Sequence, residues 1–271
     1  MDVDEDFPFM TDETQLEYLP IPEGEIRSYL VTKAEAHLLY EEVHRYFGDG
    51  LRVFRQKPEL KYSGVTYFLS QEGAIAYLLL YMHAGNVVAS IAHELLHLRM
   101  AMAGFPVQTA PDPLAKNPKA QKQIMRIHDN LGHAFFFHEF MRLGFRSTEF
   151  VVDWDAKNNP SEEKAAAHEH LRLGQPYVRG AWLAWYLIEI IWKRLGLPDV
   201  ADEVLKAGRE LFPSRMNADA EWVEDWFARA QFRDPYRYAP AVNALLNQFG
   251  LPIPNMHRLH RSDKGLEFVP A

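Results

Sequence analysis

The stretch that decides the fold is residues 86–104, NVVASIAHELLHLRMAMAG. Asn86 is a favoured N-cap residue and Gly104 is a residue type that commonly ends a helix, so the stretch predicts a helix from Val87 to about Ala103. Apolar residues recur in it at the spacing of one helix face, at Ile91, Leu95, Leu98 and Met102. This stripe predicts that one face of the helix packs on a core while the opposite face borders a cleft.

That opposite face carries His93, Glu94 and His97 in the pattern HExxH. Residues four apart lie one turn apart on the same face of a helix, so both imidazoles can reach a single metal ion. The glutamate lies about 100° round the helix from His93, where it can accept a proton from a metal-activated water. The motif therefore predicts a Zn²⁺ cofactor held by the two histidines, with Glu94 as the catalytic base.

A catalytic zinc site usually has three protein ligands, so a third ligand is expected outside the motif. The candidates lie in residues 127–144, IHDNLGHAFFFHEFMRLG. On one helix His138 would point roughly 140° away from His133, and Glu139 would be the ligand if the second helix supplied a carboxylate. His128 could be a surface residue or could support a ligand. The residues by themselves leave His133, His138 and Glu139 open as the third ligand.

The two histidine-bearing stretches together resemble the SprT-like zinc metallopeptidases. In that family a loop follows the HExxH helix, and a Gly-His or His-Gly step then enters a second helix with aromatic and apolar residues. The matching residues here are Gly132, His133, Phe137, Phe140, Met141, Leu143 and Gly144. The resemblance covers about residues 34–150. It implies that His133 is the third metal ligand beside His93 and His97, and that the fold is zincin-like.

The resemblance also implies a small sheet whose edge strand binds an extended peptide. Residues 51–54, 64–70 and 74–82 are the predicted strands, and the last, directly before the HExxH helix, is the candidate edge. Backbone pairing at such an edge binds peptides with little sequence selectivity, so the expected partner is a protein or peptide substrate. The chain departs from the family in the 35 residues between His97 and His133 and in having no cysteine for a zinc ribbon.

The chain is expected to have three parts. Residues 1–26 hold nine acidic and no basic residues, whereas the rest of the chain holds 28 acidic and 29 basic residues. The first part is therefore expected to be an acidic flexible arm. Residues 27–158 form the expected zincin-like metallopeptidase domain, with one more short strand predicted around Glu149–Val152. Residues 159–271 form an expected helical domain, whose predicted helices include residues 161–173 and 199–211. The expected fold class is α+β, with a zincin-like N-terminal domain followed by an all-α C-terminal region.

Composition argues against several classes of protein. Without cysteine the chain cannot hold a disulfide, a Cys-ligated zinc or a thiol nucleophile. A net charge of -8 argues against a globally basic nucleic-acid binder. A local basic stretch lies in the predicted loop of residues 105–126 and comprises Lys116, Lys119, Lys122 and Arg126. It could still contact a phosphate backbone, unless it is simply solvated. No secretory signal or membrane-spanning stretch is visible, so a cytoplasmic protein without a membrane partner is expected.

Two other functions remain open on the sequence. Glu41 and His44 form an ExxH pair, as do Glu94 and His97, and two such pairs are typical of a di-iron carboxylate helical oxidoreductase. Alternatively, the chain could be a non-catalytic interaction protein with a zincin-like domain. The presence of Glu94 argues against this second alternative, because a structural zinc site does not need a general base.

Overall fold

The computed structural model describes residues 19–55, 64–71, 73–80, 86–109, 118–150, 177–196, 213–263 and 265–271. These residues form an α+β structure. The chain divides into two compact units, the first made of residues 1–113, 136–157 and 255–271 and the second of residues 114–135 and 158–254. Neither unit is a single run of sequence, unlike the expected domains 27–158 and 159–271. The boundary between residues 135 and 136 falls inside one uninterrupted helix.

A four-stranded sheet forms the centre of the first unit. Its strands are β1 (Leu19–Pro20), β2 (Leu51–Arg55), β3 (Gly64–Gln71) and β4 (Gly73–Leu80). The spatial order is β1-β2-β4-β3, with β2 and β4 parallel and the other pairs antiparallel. The three main predicted strands are confirmed, but the prediction that residues 74–82 form the edge is wrong. Strand β4 is paired on both sides and its run from Ala76 to Leu80 is buried, as a continuous apolar run without alternation requires. Among the described strands, β1 and β3 lie at the two edges of the sheet, and β3 is the edge strand next to β4.

Three helices accompany this sheet. They are α1 (Glu23–Leu30), α2 (Ala34–Phe47) and α3 (Val87–Met102), with a short 3-10 turn at Gly48–Gly50 between α2 and β2. The predicted N-cap of α3 is confirmed, since the side chain of Asn86 accepts a hydrogen bond from the backbone N–H of Ala89. The predicted stripe is buried at Ile91, Leu95 and Leu98, but burial is not confined to that face of the helix. Residues such as Ala92, Leu96 and Ala101 are buried beside the predicted stripe, so α3 is enclosed on most sides.

The expected acidic arm is shorter than residues 1–26. Strand β1 pairs with β2, and α1 buries Ile26 and Leu30 completely. Arg55 donates two hydrogen bonds to the carboxylate of Glu25, at 2.6 and 2.8 Å. Residues 19–26 are therefore part of the fold, because apolar side chains and an ion pair hold them there. The rest of the expected arm, residues 1–18, lies outside the described part of the chain.

A second, three-stranded sheet corrects the expectation that residues 159–271 are all-α. It consists of β5 (Val107–Gln108), β6 (Met256–Ser262) and β7 (Gly265–Pro270), all antiparallel. Gly265 has φ 116°, a conformation that favours glycine, and Ser262 pairs with it across the hairpin turn. Strand β7 packs against β4, and the ring of Phe268 meets that of Phe68 edge-on. The C-terminal hairpin therefore completes the first unit.

Between β5 and this hairpin, the described residues form five helices. They are α4 (Pro118–Arg142), α5 (Ser147–Phe150), α6 (Tyr177–Leu195), α7 (Pro213–Arg229) and α8 (Pro235–Phe249). Residues 105–126 are predicted as a loop, but α4 begins at Pro118, so the prediction is wrong from that residue onward. Proline is well suited to the first turn of a helix. The strand predicted near residues 149–152 is also wrong, since α5 occupies its start. The helices predicted at residues 161–173 and 199–211 lie outside the described residues.

In the second unit α6 packs against α7 and α8. Buried apolar residues such as Leu187, Ile191, Val223 and Leu245 form its core. Helix α4 joins this core through a hydrogen bond from Trp192 Nε1 to Asn130 Oδ1, at 2.8 Å. None of the helices in the described ranges is both long and apolar enough to cross a membrane.

Candidate metal centre

Helices α3 and α4 bring together three side chains that the sequence singled out. His93 and His97 lie on α3 and His133 lies on α4. One ring nitrogen from each of the three lies within 4.8 Å of the other two, and all three residues are partly buried. Within the described part of the chain this is the one group of three or more His, Asp or Glu residues able to hold a metal ion.

The spacing within α3 fits a tetrahedral metal ion. The Nε2 atoms of His93 and His97 are 3.3 Å apart. Two nitrogens bound at about 2.0–2.1 Å with a tetrahedral angle between them lie about 3.3–3.4 Å from each other. Two imidazole nitrogens can face each other at this distance only if a proton or a cation lies between their lone pairs. The pair is therefore suited to share one cation.

Aromatic rings enclose the two histidines of α3. The Phe136 ring centroid lies 4.7 Å from that of His97, and the Phe150 ring centroid lies 4.8 Å from that of His93. Phe140 also packs on His93, at 6.2 Å. The three phenylalanines are buried, so they restrict the rotation of the imidazoles and keep that side of the site dry, which strengthens electrostatic interactions there. The phenylalanine-rich stretch of α4 thus supplies a wall of the site.

His133 has a carboxylate beside it on its own helix. Asp129 Oδ2 lies 3.5 Å from His133 Nε2, one turn earlier on α4. A carboxylate at one ring nitrogen favours a proton there, which leaves the lone pair on the other nitrogen. Asp129 is a site residue that the sequence analysis missed, although its i, i+4 spacing from His133 was a usable signal.

Glu94 is buried on α3 between the two histidines, with 6% of its surface exposed. Thr66 Oγ1, on the edge strand β3, donates a hydrogen bond of 2.6 Å to Glu94 Oε2. A bond to a charged carboxylate is stronger than one between neutral groups, so the threonine fixes one carboxylate oxygen. No sequence pattern points to Thr66, because its partner depends on how strand β3 lies against the helix.

The two other candidates for the third ligand point elsewhere. His138 is exposed on α4. Glu139 forms an ion pair with Arg99 of α3, whose guanidinium also lies 3.6 Å from Glu42. A helix turns by about 100° per residue, so positions five and six residues after His133 cannot present their side chains in its direction.

The structure gives His128 neither of the two roles expected from the sequence, which are a surface residue and a support for a metal ligand. Its Nδ1 is 2.9 Å from the hydroxyl oxygen of Tyr238 on α8, and its Nε2 is buried. Burial lowers the pKa of His128 to about 4, against the opposing charge of Asp129. Burial also raises the pKa of Tyr238. The pair is therefore uncharged near neutral pH and belongs to the core of the second unit.

Helix α5 fixes the N-terminal end of α3. Asn86 Nδ2 donates to Glu149 Oε1 at 2.5 Å, so the residue that caps α3 also bonds to α5. The backbone N–H of Arg146 donates to the same carboxylate at 2.6 Å and lowers the pKa of Glu149, and the Arg146 charge adds to the effect. These bonds hold Phe150 of α5 against His93.

The second ExxH pair is engaged in other interactions. Arg27 Nε donates to Glu41 at 2.7 Å and lowers the pKa of the Glu41 carboxyl. His44 lies 3.4 Å from the carboxylate of Glu23. Neither Glu41 nor His44 belongs to the histidine group formed by His93, His97 and His133.

The basic residues noted in the sequence are not all in a loop. Lys119, Lys122 and Arg126 belong to the first turns of α4, and the backbone oxygen of Arg126 accepts a hydrogen bond from Asn130. Lys116 lies outside the described residues.

Comparison of the chain with protein-family models, with curated proteins and with solved structures found no match.

Proposed function

We propose that the protein is a zinc-dependent metallopeptidase of the HExxH type, similar to the SprT-like enzymes. The observation that carries the proposal is the juxtaposition of His93, His97 and His133, one nitrogen of each within 4.8 Å of the others. The β3–β4 hairpin that leads into α3 agrees with the zincin-like arrangement that the resemblance implies.

The residues present fit a zinc ion. Three imidazoles make a donor set that suits Zn²⁺, and also Cu, Fe or Ni. The buried Glu94, between two of the ligands in the sequence, suits a hydrolytic site, because it would act as the base beside the metal. Zinc, which has no redox chemistry, is a metal that such sites commonly hold. When bound, zinc acts as a Lewis acid that activates a water molecule and polarises the carbonyl of the peptide bond.

The chain's own residues supply proton transfer and positioning. Glu94 accepts a proton from the attacking water and delivers it to the leaving amine. Thr66 keeps one Glu94 oxygen fixed, so that the carboxylate does not turn away. Phe136 and Phe150 exclude water from the flank of the histidines. An extended substrate would add to the side of β3 that pairs with no described strand. Its backbone would pair with β3, so its sequence would matter little.

The first test is the metal content of purified protein. Elemental analysis should find close to one zinc per chain, and His93→Ala or His133→Ala should lose most of it. The matched control is His138→Ala, which removes an exposed histidine from the same helix and should keep full occupancy. Full zinc occupancy in His133→Ala would show that His133 is not the third ligand. Two irons per chain would instead favour the di-iron oxidoreductase.

The second test is hydrolysis of a flexible substrate such as denatured casein. Glu94→Gln should keep the zinc and lower the rate by about 10² to 10⁴, the usual contribution of a general base. Glu35→Gln, an exposed position on α2, is the control and should leave the rate unchanged. A Glu94→Gln protein as active as wild type would refute the general-base role. A metal-free protein that cleaves nothing would favour the interaction-protein alternative.

A further inference from the structure

A cavity of about 630 Å³ in the second unit has an excess of cationic side chains in its wall. It lies where the end of α6 meets the turn between α7 and α8. Its wall contains four arginines and one acid, which are Arg194, Arg229, Arg233, Arg237 and Asp234. The volume is within the range of small-molecule sites, about 300–1,000 Å³. A wall with this excess of positive charge attracts an anion.

Two of the arginines are held by buried aromatic rings. The guanidinium carbon of Arg194 lies 4.5 Å from the centroid of the Phe227 ring, and that of Arg233 lies 5.9 Å from the Phe232 ring. The two rings stack on each other at 5.2 Å. A guanidinium over a ring is bound by its face, which leaves the N–H groups at its edge available to a ligand. The rings thus hold the guanidinium groups of Arg194 and Arg233 in place.

The other two arginines are already engaged by acids. Arg229 Nη2 lies 2.6 Å from Asp225, and Arg237 Nε lies 3.8 Å from Asp234. Among the described residues no carboxylate lies within ion-pair distance of Arg194 or Arg233. The anion-binding capacity of the cavity therefore rests on these two.

We propose that this cavity binds a small ligand that carries a chain of two or three phosphate groups. A planar guanidinium can donate hydrogen bonds to two phosphate oxygens at once. Two separate guanidinium groups are therefore suited to a ligand with more than one phosphate. The cavity is also larger than a single oxyanion would fill. The site is distinct from the histidine group, and it does not depend on the proposed peptidase activity.

The test is isothermal titration calorimetry of the full chain with pyrophosphate, tripolyphosphate and ATP at constant ionic strength. Saturable binding with one site per chain is expected, weaker at higher salt because charge dominates the interaction. Equal affinities for tripolyphosphate and ATP would show that the phosphate chain alone is recognised. Tighter binding of ATP would show that the phosphate chain belongs to a nucleotide. Sulfate that binds as tightly as pyrophosphate, or no saturable binding of any phosphate, would overturn the proposal.

Variants locate the binding site. Arg194→Gln and Arg233→Gln should each weaken pyrophosphate binding at least about tenfold, because each removes a charge-assisted bidentate contact. Arg142→Gln, an exposed arginine of α4 that does not line the cavity, makes the same charge change and should bind as wild type does. Equal affinity of all three variants would place phosphate binding elsewhere and reject this site. Thermal unfolding without ligand checks that each variant is folded.

Discussion

At the scale of single residues, Asp129 is expected to govern how tightly a metal is held. Its carboxylate lies 3.5 Å from His133 Nε2 and favours a proton on that nitrogen. Asp129→Asn should therefore lower zinc affinity by about 10- to 100-fold, the usual effect of removing such a partner. Competition with a chromophoric chelator measures it. Asp225→Asn, an exposed acid on α7, is the control, and an unchanged affinity in Asp129→Asn would show that the carboxylate does not orient His133.

Thr66 should affect turnover rather than substrate binding. Thr66→Val keeps the shape of the side chain but removes the hydroxyl that donates to Glu94. The carboxylate then loses a charge-assisted hydrogen bond, and kcat on a flexible peptide should fall by about tenfold while KM stays the same. Thr66→Ser retains a hydroxyl and should recover most of the rate. A Thr66→Val enzyme with wild-type kcat would mean that other groups position Glu94.

Helical spacing explains which site residues the sequence could identify. His93 and His97 lie four apart on one helix, so their proximity follows from the pitch of that helix alone. The position of His133 followed from a resemblance, and the structure places it beside them. Thr66 could not be found in this way, because a contact between a strand and a helix depends on how the two pack. His128 was misjudged for the same reason, since its partner Tyr238 is 110 positions away.

At the scale of elements, the predictions failed where local signals competed. Residues 105–126 contain four prolines and were predicted as a loop, but Pro118 begins α4. Proline breaks a helix only beyond its first turn, so a proline-rich stretch does not by itself exclude one. Strand β4 was identified, yet its place in the sheet was wrong. An apolar run predicts a buried strand, and the two neighbours that bury it are determined by the whole sheet.

The C-terminal hairpin should be sensitive to its turn. Gly265 has φ 116°, which residues with a Cβ adopt only at a cost of about 1–3 kcal/mol. Gly265→Ala should lower the free energy of unfolding by about that amount, measured in urea. Gly24→Ala is the control, because a Cβ there meets no atom within 4 Å and alanine favours the helix α1. Equal stability of Gly265→Ala and wild type would show that the turn relaxes freely.

At the scale of the whole molecule, the stability of the second unit should depend on pH through His128. This histidine has a folded-state pKa of about 4, against 6.5 as the usual value. Between these two values the unfolded chain binds a proton that the folded chain does not, so stability falls as pH falls. Above pH 6.5 the contribution is complete, and below about pH 4 no more is lost. The difference corresponds to about 3 kcal/mol.

Urea unfolding at pH 7 and pH 5, with a chelator present, tests this dependence. Five of the six tryptophans lie in residues 158–254, so their fluorescence reports chiefly on the second unit. Wild type should lose stability between the two pH values, and His128→Gln should lose less because its side chain does not titrate. His138→Gln, which removes an exposed histidine from the same helix, should keep the wild-type loss. If His128→Gln loses as much as wild type, acid sensitivity arises from other groups and His128 is not the buried neutral histidine of the folded state.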